Sequence, residues 1–352
     1  MSLFTPIRFR ELEFKNRIAV SPMCQYSALD GHPTTWHLVH LGSRAVGGAG
    51  LVMIEASGVQ ATGRISPGDT GMYLDSHVQA WKPIVEFIRA QGAAAGIQLA
   101  HAGRKASTSA PWLGGKPLGP EAGGWTPVAP SAVAFSEGSA TPSELSTQQI
   151  DVIVSDFEAA ARRALEAGFQ VVEVHAAHGY LLHEFCSPLS NLRNDEYGGS
   201  FANRIRLLLR VAESVRRVWP AALPVFVRIS ATDWKEGGWD LPQSIELCRK
   251  LRQIGVDLID VSSGGNVAGA PIPVAPGYQV EFASAIRRES AVPTGAVGMI
   301  TDPVQAATIV GTGQADLVFL ARELLRDPYW PRRAAEELGV KIKPPVQYER
   351  AW

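Results

Sequence analysis

The stretch Phe169-Gln-Val-Val-Glu-Val-His175-Ala-Ala-His178-Gly-Tyr180 decides the fold. Its first half is a short apolar run, which is typical of a parallel strand buried on both faces. Two imidazoles and a phenol follow at once, where the strand runs into a loop. In barrels and open α/β sheets, active sites lie beyond the carboxyl ends of the strands. The stretch therefore predicts an α/β enzyme whose site contains His175, His178 and Tyr180.

Similar apolar runs recur along the chain and alternate with longer amphipathic stretches. The runs cover residues 17–23, 50–59, 95–100, 171–175, 224–230, 258–262, 292–298 and 317–322. The amphipathic stretches include 151–167, 203–219 and 244–254, and the first of them is followed by Gly168, a residue that commonly stops a helix. Eight strands interleaved with helices predict a (β/α)8 TIM barrel.

Three segments fall outside this alternation, and one of them, 187–200, is polar and ends in Tyr197-Gly-Gly-Ser200. Residues 4–14 alternate like a β-hairpin, which we expect to cap the barrel floor. Residues 101–145 are rich in Gly, Pro, Ser and Trp and are too long for a strand-to-helix turn, so 105–145 is predicted to form a lid after the third strand. No repeat or low-complexity linker divides the chain, and 1–352 is predicted to be one domain.

The overall composition argues against several kinds of partner. The 352 residues carry 33 basic and 34 acidic side chains, a formal net charge of -1, without a Lys/Arg run that could track nucleic-acid phosphates. No segment reaches the roughly 18–20 consecutive apolar residues of a membrane helix. The three cysteines are too few and too scattered for a disulfide framework. We expect a soluble, cytoplasmic protein that binds neither nucleic acid nor membrane.

Candidate site residues follow the first two strands. The segment Ser21-Pro22-Met23-Cys24-Gln25-Tyr26 follows the first strand, and its polar and aromatic residues favour an active-site thiol for Cys24 over a merely buried one. Ala56 lies at the end of the second strand. Its small side chain would admit a planar ring, although simple packing explains it equally well.

Polar side chains within the third and fifth strands indicate a ring system. Gln98 can both donate and accept hydrogen bonds, which suits the pyrimidine edge of a flavin. Arg228 lies inside an apolar run, where a charge is costly unless paired. A structural salt bridge is one explanation, and an anionic flavin is the more economical one. Arg104 and Lys105 open the lid, either as a solvated face or as site residues.

The last two strands end in Gly295-Ala-Val-Gly298-Met299 and Leu320-Ala321-Arg322. Loops at these two positions form the recurrent phosphate site of barrels. Backbone amides at a glycine turn and one arginine can bind a phosphate dianion. Together the two segments predict a cofactor that carries a phosphate.

A metal site is the main alternative for the histidine pair, since His183 and Glu184 follow closely. The sequence lacks the HExxH pattern and shows no third and fourth ligand at metal-site spacing. His175 and His178 are therefore better suited to an oxygen atom than to a cation, and no metal is predicted.

Five ordered segments resemble the old yellow enzyme family, specifically its thermophilic-like branch. They are Pro22-Met-Cys-Gln-Tyr26, Gln98-Leu-Ala-His-Ala-Gly-Arg-Lys105, His175-Ala-Ala-His-Gly-Tyr-Leu181, Asn194-Asp-Glu-Tyr-Gly-Gly-Ser200 with Asn203-Arg204, and Val346-Gln-Tyr-Glu-Arg-Ala-Trp352. The resemblance covers essentially the whole chain. The cysteine after Pro-Met, the His/His pair and the arginine-containing tail distinguish this branch from its relatives.

The resemblance implies a barrel that binds FMN non-covalently and reduces activated alkenes by a ping-pong mechanism. NADPH, preferred over NADH, would deliver hydride to flavin N5, and the alkene would then enter the same pocket; the residues themselves do not distinguish the two nucleotides. His175 and His178 would hold the carbonyl or nitro oxygen of the substrate. Hydride would pass to Cβ, and Tyr180 would protonate Cα.

The resemblance also assigns roles to the remaining site residues. Cys24 would tune the flavin, Tyr26 would line the substrate pocket, and Gln98 and Arg228 would hold the pyrimidine end. The other residues expected to bind the ring and phosphate are Ser21, Pro22, Met23, Ala56, Gly298, Ala321 and Arg322. Enones, nitroalkenes, quinones and maleimides all fit such a site, and the lid is expected to choose among them.

The C-terminal tail is expected to act between subunits. In similar proteins the tail arginine enters the neighbouring subunit's pocket, so the resemblance implies that 340–352 lies at an interface and that Arg350 binds substrate in trans. A homodimer or a homotetramer follows. Ala351 departs from the family pattern, in which glycine is common at this position.

Three other functions remain open from the sequence. The chain could resemble the larger 2,4-dienoyl-CoA reductases, although it lacks their four-cysteine cluster and their length. It could also be a flavin-binding redox sensor in which Cys24 reports oxidation. A metal-dependent barrel hydrolase is a third alternative.

Overall fold

The eight predicted apolar runs form a closed parallel barrel. The computed structural model describes residues 2–351, so that Met1 and Trp352, the two ends of the predicted domain, lie outside the described residues. Within 2–351 the strands are β1 (Ile7–Phe9), β2 (Leu12–Phe14), β3 (Ile18–Val20), β4 (Leu51–Gly58), β5 (Ala94–Ala100), β6 (Val128–Ala129), β7 (Ser143–Glu144), β8 (Val171–Ala176), β9 (Val225–Ser230), β10 (Leu258–Ser262), β11 (Thr294–Ala296) and β12 (Leu317–Leu320). The barrel order is β3-β4-β5-β8-β9-β10-β11-β12. The predicted (β/α)8 fold is confirmed.

Two strands are much shorter than predicted, and the first of them is the run 17–23, which forms only β3. The run 292–298 pairs only as β11, which begins after Pro293 and ends before Gly298. Proline cannot donate a ladder hydrogen bond, and Gly298 has a φ of +118°, which leaves the strand conformation. At β11 the barrel wall therefore consists of a strand of only three residues.

Helices alternate with the barrel strands. In the part of the chain that the structure describes, they are α1 (Thr35–Val46), α2 (Asp75–Ala90), α3 (Thr147–Glu166), α4 (Leu181–Cys186), α5 (Phe201–Arg204), α6 (Arg206–Val218), α7 (Leu241–Ile254), α8 (Val280–Ser290), α9 (Pro303–Gly311), α10 (Arg322–Arg326) and α11 (Trp330–Glu337). The predicted helix 203–219 is divided at Ile205 into α5 and α6. No helix within 2–351 is both long and apolar enough to cross a membrane.

The predicted hairpin closes the floor of the barrel. β1 and β2 pair antiparallel, and Phe9 and Phe14 pack against Phe226 with ring centroids 5.3 and 6.4 Å apart. Phe226 lies near the start of β9, at the amino end of the barrel. Large aromatic side chains thus fill the floor, and polar side chains are concentrated towards the opposite end.

The segment 105–145 lies beside the mouth of the barrel. It contains short 3₁₀ turns (Pro111–Leu113 and Pro120–Ala122) and the parallel pair β6–β7. The Arg193 guanidinium donates to the Leu145 carbonyl at 2.6 Å and fixes one end of the segment. At the other end, the Lys105 ammonium donates to the carbonyls of His178 and Gly265 at 2.9 and 3.0 Å. The lid is thereby held against the barrel at both ends.

Candidate active site

His175, His178 and Tyr180 come together at the carboxyl end of β8. The His175 and His178 rings are nearly perpendicular, and the His175 Nε2 and His178 Nδ1 atoms lie 3.4 Å apart. His178 has a φ of 62°, an uncommon conformation for a side-chain-bearing residue, and its N–H donates to Ser230 Oγ at 2.9 Å. The strained turn brings the second imidazole back towards the first.

Both imidazoles are neutral. Burial lowers the pKa of each ring well below its usual value, and the neighbouring Arg228 guanidinium lowers it further. His175 Nδ1 accepts a hydrogen bond from the Ala177 N–H at 3.3 Å, which leaves the ring proton on Nε2. His178 Nε2 lies 2.8 Å from Ser262 Oγ, and when that hydroxyl donates, the His178 proton sits on Nδ1. Two N–H groups can then converge on one oxygen atom.

Tyr180 offers a proton beside this pair. Its ring centre lies 5.0 Å from that of His175. Burial raises the pKa of the Tyr180 hydroxyl well above its usual value, so the phenol stays protonated. The Lys105 ammonium lies 5.2 Å from the Tyr180 ring and donates to the carbonyls of His178 and Gly265 at 2.9 and 3.0 Å. Lys105, at the start of the lid, thus fixes the loop after β8 that carries His178 and Tyr180.

His183 and Glu184 bind protein groups instead of facing the histidine pair as metal ligands. His183 Nδ1 accepts from the Gly179 N–H at 2.9 Å, and its Nε2 lies 3.0 Å from Asp233 Oδ1. Glu184 Oε1 accepts from the Arg104 N–H at 2.8 Å. These contacts support the loop from behind. Within residues 2–351, no group of three or more His, Cys, Asp or Glu side chains is arranged to hold a metal ion.

A layer of polar side chains fills the barrel below the mouth. Arg228 on β9 forms an ion pair with Asp260 on β10, with Nε and Oδ2 3.1 Å apart, and donates to Ser21 Oγ at 3.2 Å. Gln98 on β5 donates from Nε2 to Glu173 Oε1 on β8 at 2.8 Å. Arg228 therefore does form a structural salt bridge, which was the first of the two explanations for its position in an apolar run. Sequence reasoning missed Glu173 and Asp260, although each is a carboxylate inside an apolar run.

The ends of β11 and β12 line a cavity of about 240 Å³. Gly298, Ala321 and Arg322 meet there as predicted, together with Ser262 and Gln279. Gly298 has a φ of +118°, which residues with a side chain rarely adopt, and a Cβ atom there would lie 2.7 Å from Gln279 Nε2, so this turn favours glycine. Ser262 and Gln279 were not predicted. Ser262 is the last residue of the predicted run 258–262. Gln279 directly precedes α8, in a segment that contains no recognisable motif.

Cys24 and Tyr26 lie on the loop after β3. Burial raises the pKa of the Cys24 thiol well above its usual value, and the carboxyls of Asp69 and Glu55 raise it further. Glu55 sits at a register shift in β4 and accepts from the Gln25 N–H at 3.0 Å. Cys24 is therefore held as a thiol, which is the less reactive form.

The other predicted residues of these loops surround the same mouth. Tyr26 is half-buried, with a φ of 50°, and its ring lies edge-on to that of Trp112 in the lid, with centroids 5.7 Å apart. Ala56 is buried beside the β4 register shift, and Pro22 and Met23 are partly exposed. Tyr26 thus links the loop after β3 to the lid.

The C-terminal tail lies on the floor side of the barrel. Residues of 341–347 line a cavity of about 600 Å³ with Lys15 and Asn16, which lie just before β3 on the floor side of the barrel. Arg350 is exposed. The structure does not place Arg350 among the site residues of its own chain.

Known proteins resemble the chain along its length. Residues 2–340 match the NADH:flavin oxidoreductase / NADH oxidase family. The NADPH dehydrogenase of Geobacillus thermodenitrificans is 50% identical, over 99% of this chain and 98% of the relative. An old yellow enzyme homologue from Zymomonas mobilis has a TM-score of 0.79 at 28% identity, over 99% of this chain and 96% of that one. A 2-naphthoyl-CoA reductase complex has a TM-score of 0.86 at 26% identity, over 96% of this chain but only 52% of that one.

The barrel and these relatives define an FMN-dependent oxidoreductase that uses NADPH. The chain belongs to the NADH:flavin oxidoreductase / NADH oxidase family, and the predicted membership of the old yellow enzyme group is confirmed. The residues at the mouth fit the cofactor. The glycine-favouring turn at Gly298 and the Arg322 side chain share one cavity suited to a phosphate, and Gln98 and Arg228 present hydrogen-bonding groups within the barrel.

Proposed function

We propose that the chain reduces the C=C bond of activated alkenes, with His175 and His178 gripping the carbonyl or nitro oxygen of the substrate. The observation that carries this proposal is the pair of neutral imidazoles whose facing nitrogens lie 3.4 Å apart. An oxygen atom placed between two N–H donors is polarised, and the donors bind it more strongly as it gains negative charge. When bound, FMN supplies hydride transfer from NADPH to the β-carbon.

Tyr180 is proposed to protonate the α-carbon. Its hydroxyl is protonated at neutral pH, and its ring centre lies 5.0 Å from that of His175. The Lys105 ammonium holds the loop after β8 through two backbone carbonyls, which keeps the phenol in place. Tyr26 and the lid residue Trp112 are proposed to line the substrate side of the mouth. The chain's own contribution is thus to bind one oxygen and to deliver one proton.

The cofactor is proposed to extend across the mouth from β5 to β12. Gln98 and Arg228 would hold its pyrimidine end, and Gly298, Ala321 and Arg322 its phosphate. The remaining residues proposed to surround the ring are Ser21, Pro22, Met23, Cys24 and Ala56. Support comes from the buried positions of Gln98 and Arg228 and from the cavity at the ends of β11 and β12.

A steady-state assay tests this function directly. The purified protein, supplied with FMN, should consume 2-cyclohexenone only in the presence of NADPH and should form one cyclohexanone for each NADPH oxidised. Cyclohexanone offered as the substrate is the control, since it has the oxygen but no activated C=C bond. Absence of turnover with 2-cyclohexenone, a nitroalkene and a maleimide by protein that retains FMN would reject the proposal.

Two alternatives receive less support. An enoyl-thioester reductase is suggested by the 2-naphthoyl-CoA reductase complex, but this chain spans only 52% of that one. A redox sensor built on Cys24 would need a reactive thiolate, whereas burial raises the pKa of this thiol. The paired N–H donors and the adjacent phenol have no role in a sensor.

The alkene step is expected to be insensitive to mild acid. The pKa values of His175 and His178 lie well below the usual 6.5, so both rings stay neutral as the pH falls from 7 to 5.5. Enzyme reduced in advance and mixed with enone in a stopped-flow instrument should react at nearly the same rate across this range. A histidine of ordinary pKa would lose about eightfold in its neutral form. A fall of that size with a midpoint near 6.5 would contradict the neutral-pair assignment.

The tail is proposed to complete the site of a neighbouring subunit in a homodimer or homotetramer. Arg350 is exposed, and its own tail leaves from the floor side of the barrel. Arg350→Ala is expected to raise KM for the alkene about tenfold, the effect of losing one hydrogen bond to a charged group. The NADPH-dependent reduction of FMN, followed separately, should change less.

A mixture of two variants tests whether Arg350 acts in trans. One chain carries Tyr180→Phe with an intact tail, and the other carries Arg350→Ala with an intact site. After the two are mixed and allowed to exchange subunits, each mixed dimer would contain one intact site paired with an intact tail, and a low KM should reappear. A KM that stays high after confirmed exchange would show that the tail does not act between subunits.

A single domain and a cytoplasmic location are also proposed. All eight barrel strands close into one sheet, and the chain alternates strand and helix without a linker. The three cysteines are free thiols, which suits a reducing compartment.

A further inference from the structure

The barrel interior contains a buried carboxyl that the mechanism does not use. Glu173 is on β8, two residues before His175, and is fully buried. One of its oxygens accepts from Gln98, and the other, Oε2, has no hydrogen-bond partner within residues 2–351. A hydrocarbon side chain would fill this position at lower cost in free energy. The carboxyl therefore requires a reason other than packing.

Strand register places Glu173 where it can orient Gln98. Gln98 and Glu173 are direct partners on the adjacent strands β5 and β8, which sets their side chains on the same face. One Nε2 hydrogen of Gln98 is committed to Glu173 at 2.8 Å. The second Nε2 hydrogen and Oε1 remain as a donor and an acceptor side by side. That is the complement of an imide edge, in which a carbonyl flanks an N–H.

The charges around Glu173 come from two other strands. Arg228 on β9 and Asp260 on β10 are register partners and form an ion pair at 3.1 Å. With both carboxyls ionised, the layer would carry one uncompensated negative charge in the barrel interior. Burial, with the Asp260 charge second, raises the pKa of Glu173 to about 8. A proton on Glu173 leaves the layer neutral at pH 7.

We propose that Glu173 is a positioning residue that fixes the Gln98 amide for the pyrimidine end of FMN and holds a proton beside the Arg228–Asp260 pair. This inference rests on the proposed cofactor orientation. It also links the cofactor to protonation. The negative charge that the flavin would gain on reduction would lie close to Arg228. This charge would increase the affinity of the Glu173 carboxylate for its proton.

Three variants separate orientation, protonation and simple destabilisation. Glu173→Leu removes both the acceptor and the proton, Glu173→Gln keeps an acceptor but cannot titrate, and Phe226→Leu disturbs the barrel floor as a matched control. The readouts are the FMN dissociation constant, measured by flavin fluorescence, and the two-electron midpoint potential from pH 7 to 9. We expect Glu173→Leu to weaken FMN binding by about tenfold, the upper end of the range for one hydrogen bond between neutral groups.

The conservative variant distinguishes positioning from structure. Glu173→Gln and Phe226→Leu should bind FMN within about threefold of the wild type. Above pH 8 the wild-type potential should fall more steeply with pH than that of Glu173→Gln, by up to one extra proton per two electrons, or about 30 mV per pH unit. Phe226→Leu should keep the wild-type slope.

The failures of the inference and of the proposed function are distinguishable. Wild-type affinity in Glu173→Leu, or equal potential slopes in the wild type and Glu173→Gln, would overturn the inference while the wild type still binds FMN. A wild-type protein that does not bind FMN at all would overturn the proposed function and this inference together.

Discussion

Replacing Tyr180 with phenylalanine is expected to slow the alkene half-reaction by about 10²- to 10⁴-fold, the usual contribution of a positioned general acid. The phenol is protonated at neutral pH because burial raises its pKa. Its ring lies 5.0 Å from the His175 ring that would hold the substrate oxygen. Phenylalanine keeps the ring and removes only the hydroxyl. The reduction of FMN by NADPH needs no proton from this group and should change by less than about threefold.

The two half-reactions are to be measured separately by anaerobic stopped-flow spectroscopy. Tyr73→Phe is a matched control, because Tyr73 packs against His77 with centroids 4.6 Å apart and has no role in the proposed site. This control should retain both rates. Equal slowing of the two half-reactions by Tyr180→Phe would reject the proton-donor role and would indicate a general disturbance of the mouth.

Removing either imidazole is expected to slow the alkene half-reaction about 10²- to 10³-fold. This is the range found when one donor to a developing oxyanion is lost. His175→Ala removes the Nε2–H donor, and His178→Ala removes the facing nitrogen 3.4 Å away. Because both donors would act on the same oxygen, the double variant should lose much less than the product of the two single effects.

His40→Asn is the control for this series. His40 is a buried histidine on α1, and burial lowers its pKa to about 3, so it shares the neutral state of the pair without sharing its position. Single-turnover rates over a range of enone concentrations would separate binding from the chemical step. Fully multiplicative losses in the double variant would mean that the two histidines act on different atoms.

The barrel itself was readable from the sequence. Buried parallel strands are nearly continuous apolar runs, and each of the eight runs forms a barrel strand. The histidine–tyrosine segment was also readable, because its polar residues follow a strand at the end where barrel chemistry occurs. The start of α3 had an available signal that the prediction of 151–167 missed. Ser146 and Gln149 form a capping box that begins the helix at Thr147.

The polar layer inside the barrel could not be predicted in this way. Glu173 and Asp260 were visible as carboxylates in apolar runs, but their partners depend on strand register. Gln98 faces Glu173, and Arg228 faces Asp260, only because β5, β8, β9 and β10 are neighbours in that register. A one-residue slip would reverse which side chains point inwards. Register arises from the whole barrel and leaves no local trace.

The contacts that hold the loop after β8 were equally hidden. Lys105 binds the carbonyls of His178 and Gly265, which are 73 and 160 residues away in sequence. The sequence left Lys105 either solvated or functional, and the structure places it against the loop. His183, a candidate metal ligand in the sequence, pairs with Asp233 instead. Long-range backbone contacts of this kind have no motif.

A visible absorption spectrum recorded through one complete anaerobic cycle tests most directly whether the protein reduces activated alkenes through FMN. Purified protein saturated with FMN should show flavin bands that bleach on addition of NADPH and return in full on addition of 2-cyclohexenone. Such a cycle would establish both half-reactions in one cuvette. Bands that never appear after reconstitution with FMN, or that bleach with NADPH and do not return with any activated alkene, would contradict the proposed reduction of activated alkenes through FMN.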